Sequence, residues 1–273
     1  MAVEQVGAEN EVQQANILPA IDDEFDGVIV EVNAPMDTEI FVSRLRSSVS
    51  HWRKQGKKGV WIKLPIGMVD LVPPAVKEGF WYHHAEPTYI MLVYWIPVTN
   101  NTIPANATHR VGIGAFVMNE KREVLVVQEK SGKSRGLGLW KFPTGVVEEG
   151  EDIWRTAERE VREETRIETE FVELLAFSQS HKLFFEKSDL YFLCKLRPLS
   201  FEIQKQELEI EAATWMPFEE YAAQPYVQSD EFLQLINDIC RSKTDGAYTG
   251  FSPIAIPDAN NYLYLNEERL ERH

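Results

Sequence analysis

Two cysteines in 273 residues, Cys194 and Cys240, supply neither a disulfide framework nor a metal-ligand pair. They read as reduced, partly buried thiols, which suits a reducing compartment. Long apolar runs are also missing. No stretch approaches the roughly 20 residues that a bilayer-spanning helix needs, so no membrane partner is expected. The opening residues, MAVEQVGAENEVQQ, carry neither an apolar core nor an arginine-rich amphipathic pattern and do not read as a targeting peptide. The cytoplasm is therefore the expected location, with nuclear entry left open. On that location the NNT and NAT triplets within 100–108 match the glycosylation pattern by coincidence. Positive charge is scarce as well, with 28 Lys and Arg against 43 Asp and Glu, a net charge of −15. Nucleic acid would repel such a chain, whereas a small anionic substrate delivered with a divalent cation is compatible with it.

What is present is ordinary for a globular protein, 44% hydrophobic and 26% charged. The length is enough for one large core or two moderate ones. Residues 1–22 lack periodicity and read as a flexible tail. A first domain, 23–98, has the order β-α-β-α-β-β. GVIVEVN and GVWIKLP read as strands, and between them Phe41, Leu45, Val49 and Trp52 recur at helical spacing up to Gly56. Pro73–Pro74 open a short helix that Gly79 stops, before the strand pair FWYHHAE and YIMLVYWIP. His83 and His84, adjacent on a strand, are expected on opposite faces and so unable to share a metal.

Polar residues 99–109 form a linker, 110–250 a second domain, and 251–273 a C-terminal extension. In the second domain two strands precede the loop KSGKSRGLGL and the turn WKFPTG. A helix over about 152–165 follows, then strands near 168–178, 189–197 and 211–216, and helices near 217–223 and 229–242. The pattern predicts a mixed α+β sandwich.

The helix over 152–165 carries Glu160, Glu163 and Glu164 on an arc of roughly 100°. Like charges at such spacing cost a few tenths of a kcal/mol each. Ala157 and Val161 lie beside these acids on the wheel, so the acids border the buried side and line a cleft. Three oxygen donors so placed suit a hard divalent cation, Mg²⁺ above all. A solvated acidic helix shows the same three residues.

The surroundings are more specific. Gly145, five residues, Glu151, seven residues, then Arg159-Glu160-Val161-x-Glu163-Glu164-x-x-Ile167 resembles the Nudix box, G-x5-E-x7-R-E-U-x-E-E-x-G-U. One fixed position departs: Arg166 stands at the glycine. The resemblance implies a Nudix α/β/α sandwich and hydrolysis of a nucleoside diphosphate linked to another moiety. It implies Mg²⁺ or Mn²⁺ held by Glu160, Glu163 and Glu164 with the Gly145 carbonyl, and Arg159 paired with Glu151. Bound metal would neutralise the diphosphate oxygens and acidify an attacking water.

Over roughly residues 25–255, stretches such as GKKGVWIKLP, FPTGVVEEGEDIW and IEAATWMPFEEYAAQP resemble the plant cytosolic Nudix group. That likeness implies ADP-ribose or NADH as substrate, a homodimer, and an N-terminal pre-Nudix domain similar to half of an acetyltransferase fold. Another diphosphate, or a non-catalytic binding role, stays open. Arg166 and Ser178, where close relatives often carry Arg, are the hints of the latter. Glu209 is the candidate catalytic base, with Glu207 and Glu211 competing. Trp140, Phe142 and His181 are candidates for the substrate, against core packing for the two aromatics and an ordinary polar role for the histidine; Lys130, Lys133 and Arg135 read as a solvated loop, with steering of the diphosphate the alternative.

Overall fold

The structure is a computed structural model and describes residues 16–131, 136–256 and 262–266, with the side chains of 183 and 184 left aside. The chain divides into two compact units, Met1–Ala107 and Thr108–His273.

In the first unit five strands lie in the order β1-β2-β3-β5-β4. They are β1 (Ala20–Asp22), β2 (Val28–Glu31), β3 (Gly59–Pro65), β4 (Trp81–Glu86) and β5 (Tyr89–Trp95). Helix α1 (Thr38–Lys54) begins where Asp37 accepts hydrogen bonds from the Glu39 and Ile40 amides. Its buried stripe, Phe41, Leu45 and Trp52, joins Val60, Ile62 and Leu64, the alternate residues of β3, in one core. A 3-10 turn (Ile66–Leu71) leads into α2 (Val72–Lys77), with proline in its first turn.

Two expectations fail here. Within the presumed tail, the described residues 16–22 belong to the fold: Leu18 is buried, its amide donates to Ser48, and β1 pairs antiparallel with β2. The pattern there is too short to show periodicity; Leu18 is held by burial against α1. Secondly, His83 and His84 do not face apart. The β4–β5 register shifts between Tyr82 and His84, and the two Nδ1 atoms lie 2.7 Å apart. A β-bulge supplies the extra residue that turns both rings to one side.

The second unit is built on a four-stranded sheet, β8-β6-β10-β9, and a β11-β7 pair. The strands are β6 (His109–Val117), β7 (Glu123–Glu129), β8 (Thr144–Val146), β9 (Thr169–Phe184), β10 (Lys187–Pro198) and β11 (Ile210–Pro217). Helix α3 (Ile153–Thr165) packs Ala157 and Val161 against Ile113, Ala115, Leu174 and Leu196. Helices α4 (Phe218–Ala222), α5 (Pro225–Ser229) and α6 (Glu231–Thr244) pack Phe218, Tyr221, Val227 and Ile236 against Phe116, Leu175 and Leu193. Helices thus cover both apolar faces, which makes the unit an α/β/α sandwich.

Three boundaries differ from the pattern. Strand β6 starts at His109, inside the expected linker. Strands β9 and β10 run on to a tight hairpin, where Phe185 and Glu186 both take positive φ, 44° and 61°. Neither residue type signals such a turn, which favours Asn-Gly. The expected C-terminal extension begins inside the fold. Phe251 exchanges backbone hydrogen bonds with Leu174 at 2.8 and 2.9 Å, and β12 (Ser252–Ala255) pairs with β13 (Tyr262–Leu265).

Candidate active site

The three acids of α3 occupy three different environments. Glu164 shares the buried stripe with Ala157, Val161 and Thr165, and is 7% exposed. Its Oε2 is buried without a hydrogen-bond partner. Burial pushes its carboxyl up to about 8; the Lys141 ammonium pulls the other way, while Glu160, Glu129 and Glu209 push further. Glu160 is partly buried, and burial raises it too, against the pull of Arg159. Glu163 stands at the rim, its side chain 53% exposed.

Arg159 relieves much of the crowding. It holds Glu151 through two parallel bonds of 2.8 Å, and reaches Glu160 at 2.8 Å, Glu163 at 3.3 Å and the Val146 carbonyl at 3.2 Å. The guanidinium keeps the Glu151 carboxyl at about 2, well below the usual range, with Thr156 adding a hydrogen bond. Such a fork ties the loop before α3 to the helix itself. Gly145, in β8, pairs with Ile113 of β6, and a β-carbon there would collide with the Glu160 carboxylate. Only glycine lets that carboxylate lie over the strand.

The far end of α3 organises a second loop. Arg166 takes the left-handed conformation (φ 60°, ψ 13°), and the helix stops. The freed carbonyls of Glu164 and Thr165 accept the amides of Gln206 and Gln204 at 2.8 and 2.9 Å. That zipper brings the loop before β11 to the acids. Glu209 contributes to the negative field at Glu164, whereas Glu207 is paired with Lys205 and Lys130. Glu211 is exposed on β11.

Alongside lies a cavity of about 530 Å³, walled by Trp140, Tyr191, Tyr221, Tyr226 and Phe232 among others, with Glu129, Lys141 and Thr144 also in its lining. Lys141 is ion-paired with Glu129 and donates to Thr144 Oγ1 at 2.9 Å. Trp140 lines this cavity. Phe142 also borders it but is 4% exposed and stacked on Tyr221, ring centres 4.6 Å apart, so it serves mainly as core. His181 does not line the cavity; it bonds Ser188 across the β9–β10 hairpin at 2.8 Å. Lys130 donates to the Glu207 carbonyl, and Lys133 and Arg135 lie outside the described residues.

Sequence reasoning missed Lys141, Glu129 and the aromatic wall from α4–α6. The one available signal was Lys141 inside WKFPTG, directly before the box; the aromatic wall comes from helices some 80 residues away.

Does the donor set suit a divalent ion? Among the described residues no three metal-binding side chains already converge, since Arg159 draws Glu160 and Glu163 to itself. Glu164 nevertheless keeps an unpartnered buried oxygen beside Glu160, and hard oxygen donors of this kind fit Mg²⁺ or Mn²⁺. The residues fit the group.

Comparison with known proteins shows the family of the chain. The profile of the Nudix hydrolase domain matches residues 18–96, and that of the NUDIX domain residues 108–235. Nudix hydrolase 2 of Arabidopsis thaliana is 59% identical over 256 residues, covering 93% of this chain and 92% of that protein. Human nucleoside diphosphate-linked moiety X motif 6 is 36% identical, over 80% of this chain and 68% of its own. A solved NUDIX hydrolase from Nitrosomonas europaea, 22% identical, covers 52% of this chain and 92% of its own with a TM-score of 0.42. The chain belongs to the Nudix hydrolase family, enzymes acting on nucleoside diphosphate-linked substrates. Within it, the relatives from Arabidopsis place the chain in the plant group whose members carry the N-terminal domain.

Proposed function

We propose that this protein hydrolyses the diphosphate bond of ADP-ribose or NADH, releasing AMP, with Mg²⁺ or Mn²⁺ as cofactor. The observation that carries the reading is Glu164: a buried carboxyl with a free oxygen, next to Glu160 and within the field of Lys141, which lines an aromatic-walled cavity. Such acids are costly to bury without a cation. Glu160, Glu163 and Glu164, with the Gly145 carbonyl, would hold the metal, which when bound supplies charge neutralisation and an acidified water. Arg159 and Glu151 keep the loop and helix in place, and Glu209 accepts a proton from the attacking water at its carboxylate. Trp140 and its aromatic neighbours offer faces for a planar ring and exclude water.

The cavity argues against a highly charged inositol pyrophosphate, since Lys141 is its single cation among the described lining residues. A cytoplasmic homodimer goes with the likeness to the plant group. A panel of ADP-ribose, NADH, CoA, oxidised nucleotides and inositol pyrophosphates, with Mg²⁺ and scored by product, tests the reading. AMP release from ADP-ribose or NADH is expected to dominate and to stop with EDTA. A preference for another diphosphate, or no turnover of any, would overturn it.

A further inference from the structure

Lys141 has no role in the account above, yet its position is unusual. Its backbone is pinned to β7, with Lys141 N–H to Val127 O at 3.0 Å and Val127 N–H to Lys141 O at 2.9 Å. Its side chain stands where two environments meet. On one side are the acids, since its ammonium donates to Thr144, the neighbour of Gly145, over which the Glu160 carboxylate lies. On the other is the aromatic chamber, whose described lining is otherwise apolar, aromatic or hydroxyl-bearing except for Glu129. A diphosphate whose organic group enters that chamber therefore meets one cation on the way, and that cation is already neutralised by Glu129.

We propose that Lys141 is a binding residue for the substrate's diphosphate, releasing Glu129 to hold a phosphoryl oxygen at the chamber's mouth. The side chains of the pair are 29% and 28% exposed, so they are partly buried yet reached by solvent and by an incoming anion. A diphosphate with more than one negative charge displaces the single carboxylate. Lysine suits the exchange: a point charge on a flexible stem swings between partners, and Thr144 Oγ1 steadies it at 2.9 Å. The assignment rests on the hydrolase reading and adds to it the residue that receives the anion.

The test uses the full chain and the variants Lys141→Met, Lys141→Arg and Glu129→Gln. Binding of AMP and of inorganic pyrophosphate is measured by calorimetry at saturating Mg²⁺, and Mn²⁺ binding without nucleotide by electron paramagnetic resonance. Lys141→Met is expected to weaken AMP and pyrophosphate about tenfold or more, and to raise KM for the diphosphate the native chain hydrolyses while kcat changes less. Mn²⁺ binding should stay equal or tighten, because a cation leaves the acidic cluster. Lys141→Arg should retain most anion affinity, and Glu129→Gln, which frees the lysine, should keep or improve it.

If Lys141 only braces the carboxylates, Lys141→Met weakens Mn²⁺ and anion binding together, and the proposal falls. Undiminished anion binding in Lys141→Met, or none by the native chain, overturns it too. Should the native chain bind both anions through Lys141 yet hydrolyse no diphosphate, the assignment stands and the hydrolase reading is lost.

Discussion

At the scale of single residues, graded burial separates the three acids of α3. Glu164 is the informative one, because it holds its proton up to about pH 8 in the metal-free fold against 4.5 for the ordinary side chain. Between those values the unfolded chain is ionised and the folded one is not, so folding binds a proton. The contribution of this carboxyl to stability is full below about pH 4.5 and falls as pH rises to 8, by roughly 1.4 kcal/mol per unit at most. Glu164→Gln carries no such penalty. In EDTA, denaturant titrations at pH 5, 7 and 9 should show the variant gaining on the native chain as pH rises, by a few kcal/mol in all. A gap that ignores pH would show that burial does not govern this carboxyl. With Mg²⁺ present, the same variant should stay folded and lose at least about 10²-fold in turnover.

At the scale of elements, α3 is held by what surrounds its two ends. Arg159 and Glu151 fasten its start, and the left-handed residue at its end opens carbonyls to the loop that carries Glu209. Glycine is the usual residue for that conformation, and Arg166 adopts it with φ 60°. Arg166→Gly should therefore stabilise the fold by up to about 1 kcal/mol, read as a higher melting temperature. It should also lower the Mg²⁺ concentration for half-maximal rate, since a cation near the acids is removed. Arg166→Ala should share the metal effect and not the thermal gain. A destabilised Arg166→Gly would mean that the arginine side chain supports the fold. The extent of α1 and α3 was legible because apolar periodicity, Asp37 and the box mark it. The β9–β10 hairpin and the His83–His84 pair were not, because a Phe-Glu turn and a bulge depend on partner strands that local pattern does not contain.

At the scale of the whole molecule, two units carry separate cores, and the acids belong to the second. A divalent ion that binds the folded site and not the unfolded chain must raise the melting temperature with its concentration. Mg²⁺ and Mn²⁺ titrations should show that rise, Glu164→Gln should blunt it, and the rate with metal should climb from neutral to alkaline pH. A melting temperature indifferent to both metals would remove these acids as ligands.

The sequence by itself determined the family, the fold class and the box, because these depend on residue type at fixed spacing along one strand, loop and helix. Tertiary structure alone decided which acid is buried, that Glu209 adds to its field while Glu207 is paired with lysines, and that Phe142 is core while His181 is engaged elsewhere. It also decided that Lys141 and the aromatic wall from α4–α6 share one cavity. The physical reason is that desolvation and charge–charge energies depend on distances across the fold, between residues some 80 positions apart, and spacing along the chain does not encode them.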